Sequence, residues 1–316
     1  MTGEATVVKN AGSHYMLSML PDWNPFPAVL KGRIRLKSND STNPVAVGDH
    51  VLFETGAETP GEVTLENPAL ITEILDRKNF VVRKSTNLSR QSHVIAANID
   101  MAFAVVSLYF PEIKLPFLDR MLVTCEVYGV PATIVMNKVD LYRNEAPEAV
   151  QNFIDIYTGA GYRVVQASAK TCEGIEELRG ICDGNVCLFS GESGVGKSSL
   201  IKALDPSLDP KIGKISVAHL QGKHTTSLYE MYRLASGGAV IDTPGLRGFG
   251  LVNLEKEEIA RYFPEMLKAA ENCRFTPCTH THEPGCAVKE AVDNGEISPE
   301  RYSSYLGMIE EDKKFR

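Results

Sequence analysis

The sequence predicts a multidomain protein with an all-β N-terminal region, a central α/β region and a helical C-terminal region. Three observations support this prediction. Short strand-like segments separated by Gly, Pro, Asn and Glu run through residues 1–92 without a helical period. Apolar strands alternate with amphipathic helices across 93–255, which is typical of a parallel sheet covered by helices on both faces. Residues 256–316 are predicted to be helical around a short Cys/His-rich segment.

Length and composition agree with this division. The chain has 316 residues, roughly twice a typical domain, and 43% of them are apolar, which is enough for more than one core. The 33 Lys and Arg residues against 40 Asp and Glu give a net charge of −7. This charge excludes a generally basic nucleic-acid binder but allows a local basic face. Because no apolar run reaches membrane-spanning length and the N-terminus lacks an apolar signal core, we expect a cytoplasmic protein without a membrane partner.

The N-terminal region is predicted to form a small barrel with one basic face. Several short strands without a helical period are typical of such barrels. One strictly alternating segment places four basic residues on one face: Lys31, Arg33, Arg35 and Lys37. A small barrel with a basic face resembles the OB-fold, whose sheet face binds nucleic acid. A solvated strand edge explains the same charges, because exposed strands often carry charge that discourages edge pairing. Both interpretations stay open, and the first 20 residues have no assignment.

The central region is predicted to contain five buried strands joined by helices. The strands are expected at 100–107, 132–136, 163–167, 186–190 and 239–242. The helices are expected near 116–128, 146–158, 173–181 and 197–204.

A phosphate-binding loop is predicted between the fourth strand and the fourth helix. Residues 191–198 read Gly-Glu-Ser-Gly-Val-Gly-Lys-Ser and match the pattern G-x-x-x-x-G-K-S in the strand–helix context it requires. Its glycines let backbone N–H groups surround a phosphate, and the helix start adds its dipole. We expect Lys197 to contact the β- and γ-phosphates and Ser198 to bind Mg²⁺. The candidate nucleotide-binding residues here are Gly191, Glu192, Ser193, Gly194, Val195, Gly196, Lys197, Ser198 and Ser199.

Two further motifs, at 137–140 and 168–170, directly follow predicted strands, where open α/β sheets bind ligands. A carboxylate such as Asp140, held in the plane of a base, accepts two N–H bonds from guanine and is left unpaired against adenine. Together with the phosphate loop, these motifs predict GTP or GDP as the ligand. The candidate residues are Asn137, Lys138, Asp140, Ser168, Ala169 and Lys170.

A last nucleotide motif, Asp242-Thr-Pro-Gly245, closes the fifth strand. We expect Asp242 to reach Mg²⁺ through water and the Gly245 N–H to contact the γ-phosphate. These motifs together resemble those of the translation-factor-related GTPases, in which the guanine motifs usually follow the phosphate loop, whereas here they precede it. A circular permutation accounts for this order, because the site is built from strand ends that meet in space whatever order the chain visits them. The central region is thus predicted to be a circularly permuted P-loop GTPase.

The C-terminal region concentrates metal-binding side chains in 14 residues, namely Cys273, Cys278, His280 and Cys286. Three thiolates and one imidazole complete a tetrahedral set for a structural Zn²⁺ and leave no position for a reactive water. His282 is a rival imidazole. The other cysteines, Cys125, Cys172, Cys182 and Cys187, are predicted to lie in the apolar core.

An N-terminal barrel, a permuted GTPase and a Cys/His-rich C-terminus together resemble the ribosome small-subunit-dependent GTPase A (RsgA) family over nearly the whole chain. The resemblance implies that GTP hydrolysis with Mg²⁺ serves late maturation of the small (30S) ribosomal subunit, with 16S rRNA as a partner. Hydrolysis would be stimulated by the subunit and coupled to release. The resemblance also favours His280 over His282 as the zinc ligand. We expect a monomer that does not bind DNA.

Two alternatives stay open. One is a nucleotide-responsive RNA-binding scaffold whose hydrolysis is incidental. The other is a GTPase that acts on another RNA, such as tRNA or the large subunit.

The resemblance also assigns a switch segment to residues 222–226, Gly-Lys-His-Thr-Thr. One of its threonines, Thr225 or Thr226, would contact Mg²⁺ and the γ-phosphate. Leu246 follows Gly245 and cannot orient water, so hydrolysis needs another group. The resemblance gives that role to His224. The catalytic candidates are therefore His224, Lys197, Thr225 and Thr226, and the Mg²⁺ candidates are Ser198, Thr225 and Asp242.

Overall fold

The computed structural model describes residues 1–32, 44–84, 92–208, 229–243 and 254–314. Within these ranges the chain forms thirteen strands and eight α-helices. The strands are β1 (Thr2–Ala11), β2 (His14–Ser18), β3 (Phe26–Leu30), β4 (His50–Glu54), β5 (Ala69–Ile74), β6 (Phe80–Lys84), β7 (Ser92–Ala97), β8 (Met101–Val106), β9 (Ala132–Met136), β10 (Arg163–Gln166), β11 (Val186–Ser190), β12 (Tyr229–Arg233) and β13 (Ala239–Asp242). The helices are α1 (Leu115–Val127), α2 (Pro147–Gly159), α3 (Ile175–Cys182), α4 (Lys197–Leu204), α5 (Lys256–Ile259), α6 (Pro264–Ala270), α7 (Ala287–Asp293) and α8 (Pro299–Lys314).

Strands β1 to β5 form the predicted N-terminal barrel. They pair in the closed order β1-β2-β3-β5-β4-β1, with β3 and β5 parallel and the other neighbours antiparallel. Leu17, Phe26 and Phe53 are among the buried side chains that fill the interior. Closure pairs both edges of every strand, which leaves no free edge for another chain to pair with. The first 20 residues, unassigned from sequence, supply β1 and β2, whereas most of the predicted basic strand at 31–37 lies outside the described residues.

The two halves of β1 pair with different partners. Residues 2–6 pair with β4 and close the barrel, whereas Lys9 and Asn10 pair with β12 of the central region. The register against β2 shifts between Val7 and Lys9, and such a bulge bends a strand. The barrel and the central region consequently share one continuous eleven-stranded sheet.

The central part of this sheet has the order β10-β9-β8-β11-β13-β12. The first five strands are parallel and β12 is antiparallel to β13. Separate buried clusters pack around the sheet, which is why the parallel strands are apolar nearly throughout. The five predicted strands and four predicted helices are all present, and β12 was not predicted. The carboxyl ends of the parallel strands point to one edge, where the predicted nucleotide motifs follow.

The C-terminal helices pack against α1 through a buried charged group. The guanidinium of Arg301 on α8 is 1% exposed and bonds to Asp119 on α1 at 2.8 Å and to Glu265 on α6 at 2.8 Å. It also lies 4.6 Å from the ring centre of Phe263. Burial raises the pKa of the Asp119 carboxyl, and the positive charge of Arg301 opposes that rise. A buried ion pair of this kind is costly to break, because the remaining partner keeps an uncompensated charge.

Three of the four cysteines predicted to lie in the core, Cys125, Cys182 and Cys187, are buried. Cys172 is exposed, so its prediction is wrong. It occupies the turn between β10 and α3, with φ +62°, and not a strand or a helix.

Among the described residues, no helix is both long and apolar enough to cross a membrane.

Candidate nucleotide site and Cys/His cluster

The glycine-rich loop at 191–198 leaves β11 at its carboxyl end and enters α4. Gly196 has φ +98°, and a Cβ there would lie 2.3 Å from Nδ2 of Asn137. A Cβ on Gly191 would lie 2.2 Å from the carbonyl oxygen of Val105. Other residues would therefore clash, and the loop needs glycine at both positions.

Lys197, the first residue of α4, directs its ammonium over this loop. Nζ donates hydrogen bonds to the carbonyl oxygens of Gly191 at 2.8 Å and Glu192 at 2.9 Å, and the residue is 7% exposed. Burial lowers the pKa of Lys197, while the nearby carboxylates of Asp242 and Glu192 raise it. A buried cation held on carbonyl oxygens is well placed to exchange them for phosphate oxygens, which would supply a full countercharge.

Ser198 and Asp242 meet beside Lys197. Oγ of Ser198 donates a 3.4 Å hydrogen bond to Oδ2 of Asp242. Oδ1 of Asp242 is buried and has no hydrogen-bond partner among the described residues. Burial raises the pKa of this carboxyl, and Lys197 lowers it. An unpaired carboxylate oxygen beside a hydroxyl provides the oxygen ligands that Mg²⁺ prefers, so the two residues fit a Mg²⁺ bound with the nucleotide.

Asn137 joins three sequence motifs at one point. Its Nδ2 donates to the carbonyl oxygen of Val195 in the phosphate loop at 2.8 Å. Its Oδ1 accepts from the backbone N–H of Ala169 at 3.2 Å. The side chain is 1% exposed. The buried amide therefore has a partner for both its N–H and its oxygen, and these two hydrogen bonds hold the phosphate loop and the motif at 168–170 beside the motif at 137–140.

Asp140 is held by the serine of the neighbouring motif. Oγ of Ser168 donates to Oδ1 of Asp140 at 2.7 Å and accepts from the N–H of Thr171 at 3.1 Å. Asp140 is exposed and keeps acceptor capacity for the two N–H groups of a guanine. A cavity of about 360 Å³ adjoins it, and the predicted residues that line this cavity are Asn137, Lys138, Asp140, Ser168, Ala169, Lys170, Gly196 and Ser199.

Lys138 connects the guanine motif with the phosphate loop. Nζ donates to the carbonyl oxygens of Gly194 at 2.7 Å and Phe110 at 2.5 Å. Phe110 belongs to the segment after β8, from which Lys114 pairs with Glu192 at 3.2 Å. The sequence analysis missed this segment because it matches no motif. Its position after a strand adjacent to β11 is the signal that could have identified it.

The remaining nucleotide candidates divide into two groups. Ser193 is exposed on the phosphate loop, and Val195 packs into the core beneath it. His224, Thr225, Thr226 and Gly245 lie outside the described residues, as does Leu246. Their roles stay predictions.

The four predicted zinc ligands converge in the C-terminal region. The ligand atoms of Cys273, Cys278, His280 and Cys286 all lie within 4.8 Å of one another. Nδ1 of His280 is 3.6 Å from Sγ of Cys273 and 3.4 Å from Sγ of Cys286. Three thiols and one imidazole at this spacing match the tetrahedral donor set that zinc prefers. The rival His282 is exposed and is not part of the cluster.

Helix α8 holds the loop that carries His280. The hydroxyl of Tyr302 donates to the carbonyl oxygen of His280 at 2.7 Å, and that of Tyr305 donates to Thr279 at 2.6 Å. The carboxylate of Glu283 accepts from the N–H and hydroxyl of Thr279 at 2.9 and 2.6 Å. Burial raises the pKa of the Glu283 carboxyl, but these hydrogen bonds, together with those from neighbouring backbone N–H groups, outweigh burial and lower the pKa below its usual value. The cluster is therefore supported by the same helix that carries the buried Arg301.

Comparison with known proteins gives similarity along nearly the whole chain. The model of the RsgA GTPase family matches residues 74–252. The small ribosomal subunit biogenesis GTPase RsgA of Bacteroides fragilis is 46% identical over 312 residues, covering 98% of both chains. The protein of the same name from Flavobacterium psychrophilum is 45% identical over 313 residues, covering 99% of this chain and 93% of its own.

Two solved structures share the architecture. YjeQ from Thermotoga maritima matches with a TM-score of 0.76 and 32% identity over 98% of each chain. YloQ, a circularly permuted GTPase, matches with a TM-score of 0.72 and 26% identity, covering 100% of this chain and 96% of its own.

Proposed function

Because the chain belongs to the RsgA GTPase family, we propose that it hydrolyses GTP on the small (30S) ribosomal subunit during late maturation of that subunit. The names of its relatives, small ribosomal subunit biogenesis GTPases at 42% to 46% identity, support this site of action. In this proposal the subunit stimulates hydrolysis, and hydrolysis leads to release. The protein acts in the cytoplasm as a monomer, with no membrane or DNA partner.

The observation that carries the guanine-nucleotide assignment is the position of Asn137. Its amide bonds to Val195 and Ala169 and thereby fixes the phosphate loop beside the base-reading motifs. In this arrangement, one nucleotide binds through its base to Asp140 and through its phosphates to Lys197. A surface turn that matched the guanine motif by chance would not be bonded to a phosphate loop.

Each residue has a proposed part in hydrolysis. Asp140 accepts the N–H groups of guanine, and Lys197 binds the β- and γ-phosphate oxygens. Ser198 and Asp242, with one switch threonine, Thr225 or Thr226, would hold Mg²⁺. When bound, Mg²⁺ neutralises the phosphate charge.

The remaining parts fall on residues predicted from sequence alone. The Gly245 N–H contacts the γ-phosphate, and His224 orients the water that attacks the γ-phosphorus. The products are GDP and phosphate.

The three units have separate parts in this proposal. Residues 1–92 bind 16S rRNA, residues 93–255 bind and hydrolyse GTP, and residues 256–316 hold one structural Zn²⁺ at the Cys/His cluster. Lys31 on the proposed RNA-binding face pairs with Glu54 at 2.7 Å, and both side chains are nearly half exposed. Its charge is therefore partly matched within the protein.

Turnover measurements with different RNA partners test the proposal. We expect purified small subunits to stimulate GTP turnover strongly, and large subunits and tRNA to leave it near the basal rate. Stimulation by tRNA or large subunits would indicate a GTPase with another RNA partner. No stimulation by any of them would indicate an RNA-binding scaffold with incidental hydrolysis. A Lys197→Ala control shows how much turnover arises from this site.

A further inference from the structure

The barrel joins the central sheet through a very short strand pairing. Only two residue pairs connect β1 with β12, Lys9 with Glu230 and Asn10 with Tyr229. The side chains of the first pair form an ion pair, with Nζ of Lys9 2.9 Å from Oε1 of Glu230 and each side chain about 30% exposed. The other carboxylate oxygen of Glu230 accepts from the hydroxyl of Tyr232 at 3.2 Å. The carboxylate is thus fixed on both sides.

This ion pair lies on the same face of the sheet as Asp242, which belongs to the candidate magnesium site. Glu230 stands directly opposite Asp242 in the antiparallel pairing of β12 with β13. Residues opposite each other on adjacent strands direct their side chains to the same face of the sheet. Lys9, Glu230 and Asp242 therefore form one row that runs from the barrel to the residue proposed to hold Mg²⁺.

Strand β12 is also the covalent continuation of the predicted switch segment. Tyr229 is the third residue after Thr226 in the chain, and β13 returns to Asp242 after one turn. Strand β12 is therefore close along the chain to the predicted switch segment and is paired with the strand that ends at Asp242.

Apolar side chains pack beside the ion pair, where Val8 of β1 and Tyr229 and Met231 of β12 belong to one buried cluster. A cavity of about 850 Å³ opens between the barrel and the central sheet, and Lys9, Glu230 and Trp23 are among the residues that line it. The Lys9–Glu230 ion pair is the polar side-chain contact of a junction that apolar packing also supports. Trp23 is the only tryptophan of the chain, so its fluorescence reports on this junction alone.

We propose that the Lys9–Glu230 ion pair is a positioning contact through which the barrel sets the placement of β12, so that RNA bound to the barrel raises GTP turnover at the nucleotide site. The inference rests on the proposed function, since it takes the small subunit as the stimulating partner. Coupling between two sites is reciprocal for binding, so nucleotide state must also alter the barrel side of the junction.

Charge reversal at either end of the pair tests the proposal. With saturating small subunits, we expect Lys9→Glu and Glu230→Lys each to lower the stimulated turnover about fivefold or more. Basal turnover is expected to stay within about twofold of wild type, because neither residue touches nucleotide. The two variants change the net charge in opposite directions. A general electrostatic effect on RNA binding would therefore weaken binding in one variant and strengthen it in the other, whereas loss of the ion pair lowers stimulation in both. The double swap, Lys9→Glu with Glu230→Lys, is expected to restore stimulation.

Arg163 and Glu177 provide the matched control. They form an exposed 2.8 Å ion pair at the far edge of the central sheet. Arg163→Glu and Glu177→Arg are expected to leave stimulation unchanged. Undiminished stimulation in both junction variants, or a double swap no better than the single variants, would overturn the inference.

Fluorescence of Trp23 gives a second test that needs no ribosome. With excitation at about 295 nm, exchange of GDP for a non-hydrolysable GTP analogue is expected to shift the emission of the wild-type protein and not that of Lys9→Glu. No shift in the wild type, or the same shift in the variant, contradicts the inference. If small subunits fail to stimulate the wild-type protein, the proposed function is wrong, and the fluorescence result still decides whether the junction couples the two sites.

Discussion

At the scale of single residues, the site depends on polar groups that each hold two neighbours. The amide of Asn137 bonds to the phosphate loop at Val195 and to the motif at 168–170 through the N–H of Ala169. The ammonium of Lys138 bonds to the carbonyl oxygens of Gly194 and Phe110. Asn137 is the more sensitive of the two to substitution, because removing its buried amide leaves the carbonyl oxygen of Val195 and the N–H of Ala169 without that partner. Lys197 and Asp140 provide the most direct tests, because each has a predicted contact with one part of the nucleotide.

Lys197→Ala is expected to lower kcat/KM for GTP by about 10²–10³. The substitution removes a fixed positive charge that stabilises the negative charge developing on the phosphate oxygens in the transition state. Steady-state phosphate release measures this change. Lys202→Ala on the exposed side of the same helix is the control and should retain wild-type turnover. Equal activity of the two variants would reject the phosphate-loop assignment.

Asp140→Asn is expected to shift nucleotide preference from GTP toward xanthosine triphosphate. The new amide N–H pairs with the 2-oxygen of xanthine and opposes the 2-amino group of guanine, so the affinity ratio should change about 10- to 100-fold. Competition binding with GDP and xanthosine diphosphate measures it. Asp155→Asn, an exposed substitution on α2, should keep the guanine preference. An Asp140→Asn protein that still prefers guanine would exclude this carboxylate as the base-reading group.

At the scale of secondary-structure elements, α8 connects the Cys/His cluster to the GTPase region. Tyr302 and Tyr305 hold the loop around His280, and Arg301 on the same helix bonds to Asp119 on α1. Helix α1 in turn follows the segment that accepts a hydrogen bond from Lys138 at Phe110 and pairs with Glu192 of the phosphate loop through Lys114. The C-terminal unit is therefore anchored to the nucleotide region by side chains that are buried on both sides of the contact.

Arg301→Met is expected to lower the free energy of unfolding by about 3–5 kcal/mol, because the carboxylates of Asp119 and Glu265 lose their buried partner. Urea denaturation measures the loss. The control is Arg163→Met, which removes an exposed ion pair and should cost about 1 kcal/mol or less. If the two variants had similar stability, the buried network would not anchor the helix.

Removal of the metal is expected to unfold the C-terminal unit. Structural zinc contributes on the order of 10 kcal/mol in small modules, so Cys278→Ser or a strong chelator should expose the amides of α6 to α8 to hydrogen exchange. Metal analysis of the purified protein should give about one zinc per chain. Cys172→Ser, at the exposed cysteine outside the cluster, should retain both zinc and protection. A metal-free protein with normal melting would contradict the zinc assignment.

At the scale of the whole molecule, the proposed function gives RNA binding and nucleotide binding to different units. The barrel closes on its own strands, and within the described residues β1 is the strand that pairs with the central sheet. This arrangement allows a charged partner on the barrel to act on the nucleotide site without touching it. It also predicts that the two binding functions separate by mutation.

The Arg33→Glu/Arg35→Glu double variant is expected to weaken binding to small subunits and to flatten its salt dependence, since each lost phosphate contact reduces counterion release. GDP affinity should not change. Sedimentation with small subunits at several salt concentrations measures the effect, and Lys202→Glu in the central region is the charge control. Unchanged subunit binding by the double variant would remove the proposed RNA-binding face.

The sequence predicted some features of this molecule well and missed others. The phosphate loop, the guanine motifs and the Cys/His cluster were identified in advance, because each consists of a few chemically specific residues at close spacing. Strand β12 was missed, because five residues, Tyr-Glu-Met-Tyr-Arg, carry no distinctive apolar pattern. Asn137 was recognised as a motif residue, but its bond to Val195, 58 positions away, was not predictable from local spacing.

By itself, the sequence determined the GTPase motifs, the set of candidate metal-binding side chains and the order of the units, because residue types and short spacings are properties of neighbours along the chain. Only the tertiary structure decided that β1 leaves the barrel to pair with β12, and that Arg301 joins α8 to α1. The paired atoms of Lys9 and Glu230 are 221 positions apart, and those of Arg301 and Asp119 are 182 apart. Contacts across such distances arise when sheets and helices pack, and no local pattern of residues encodes them.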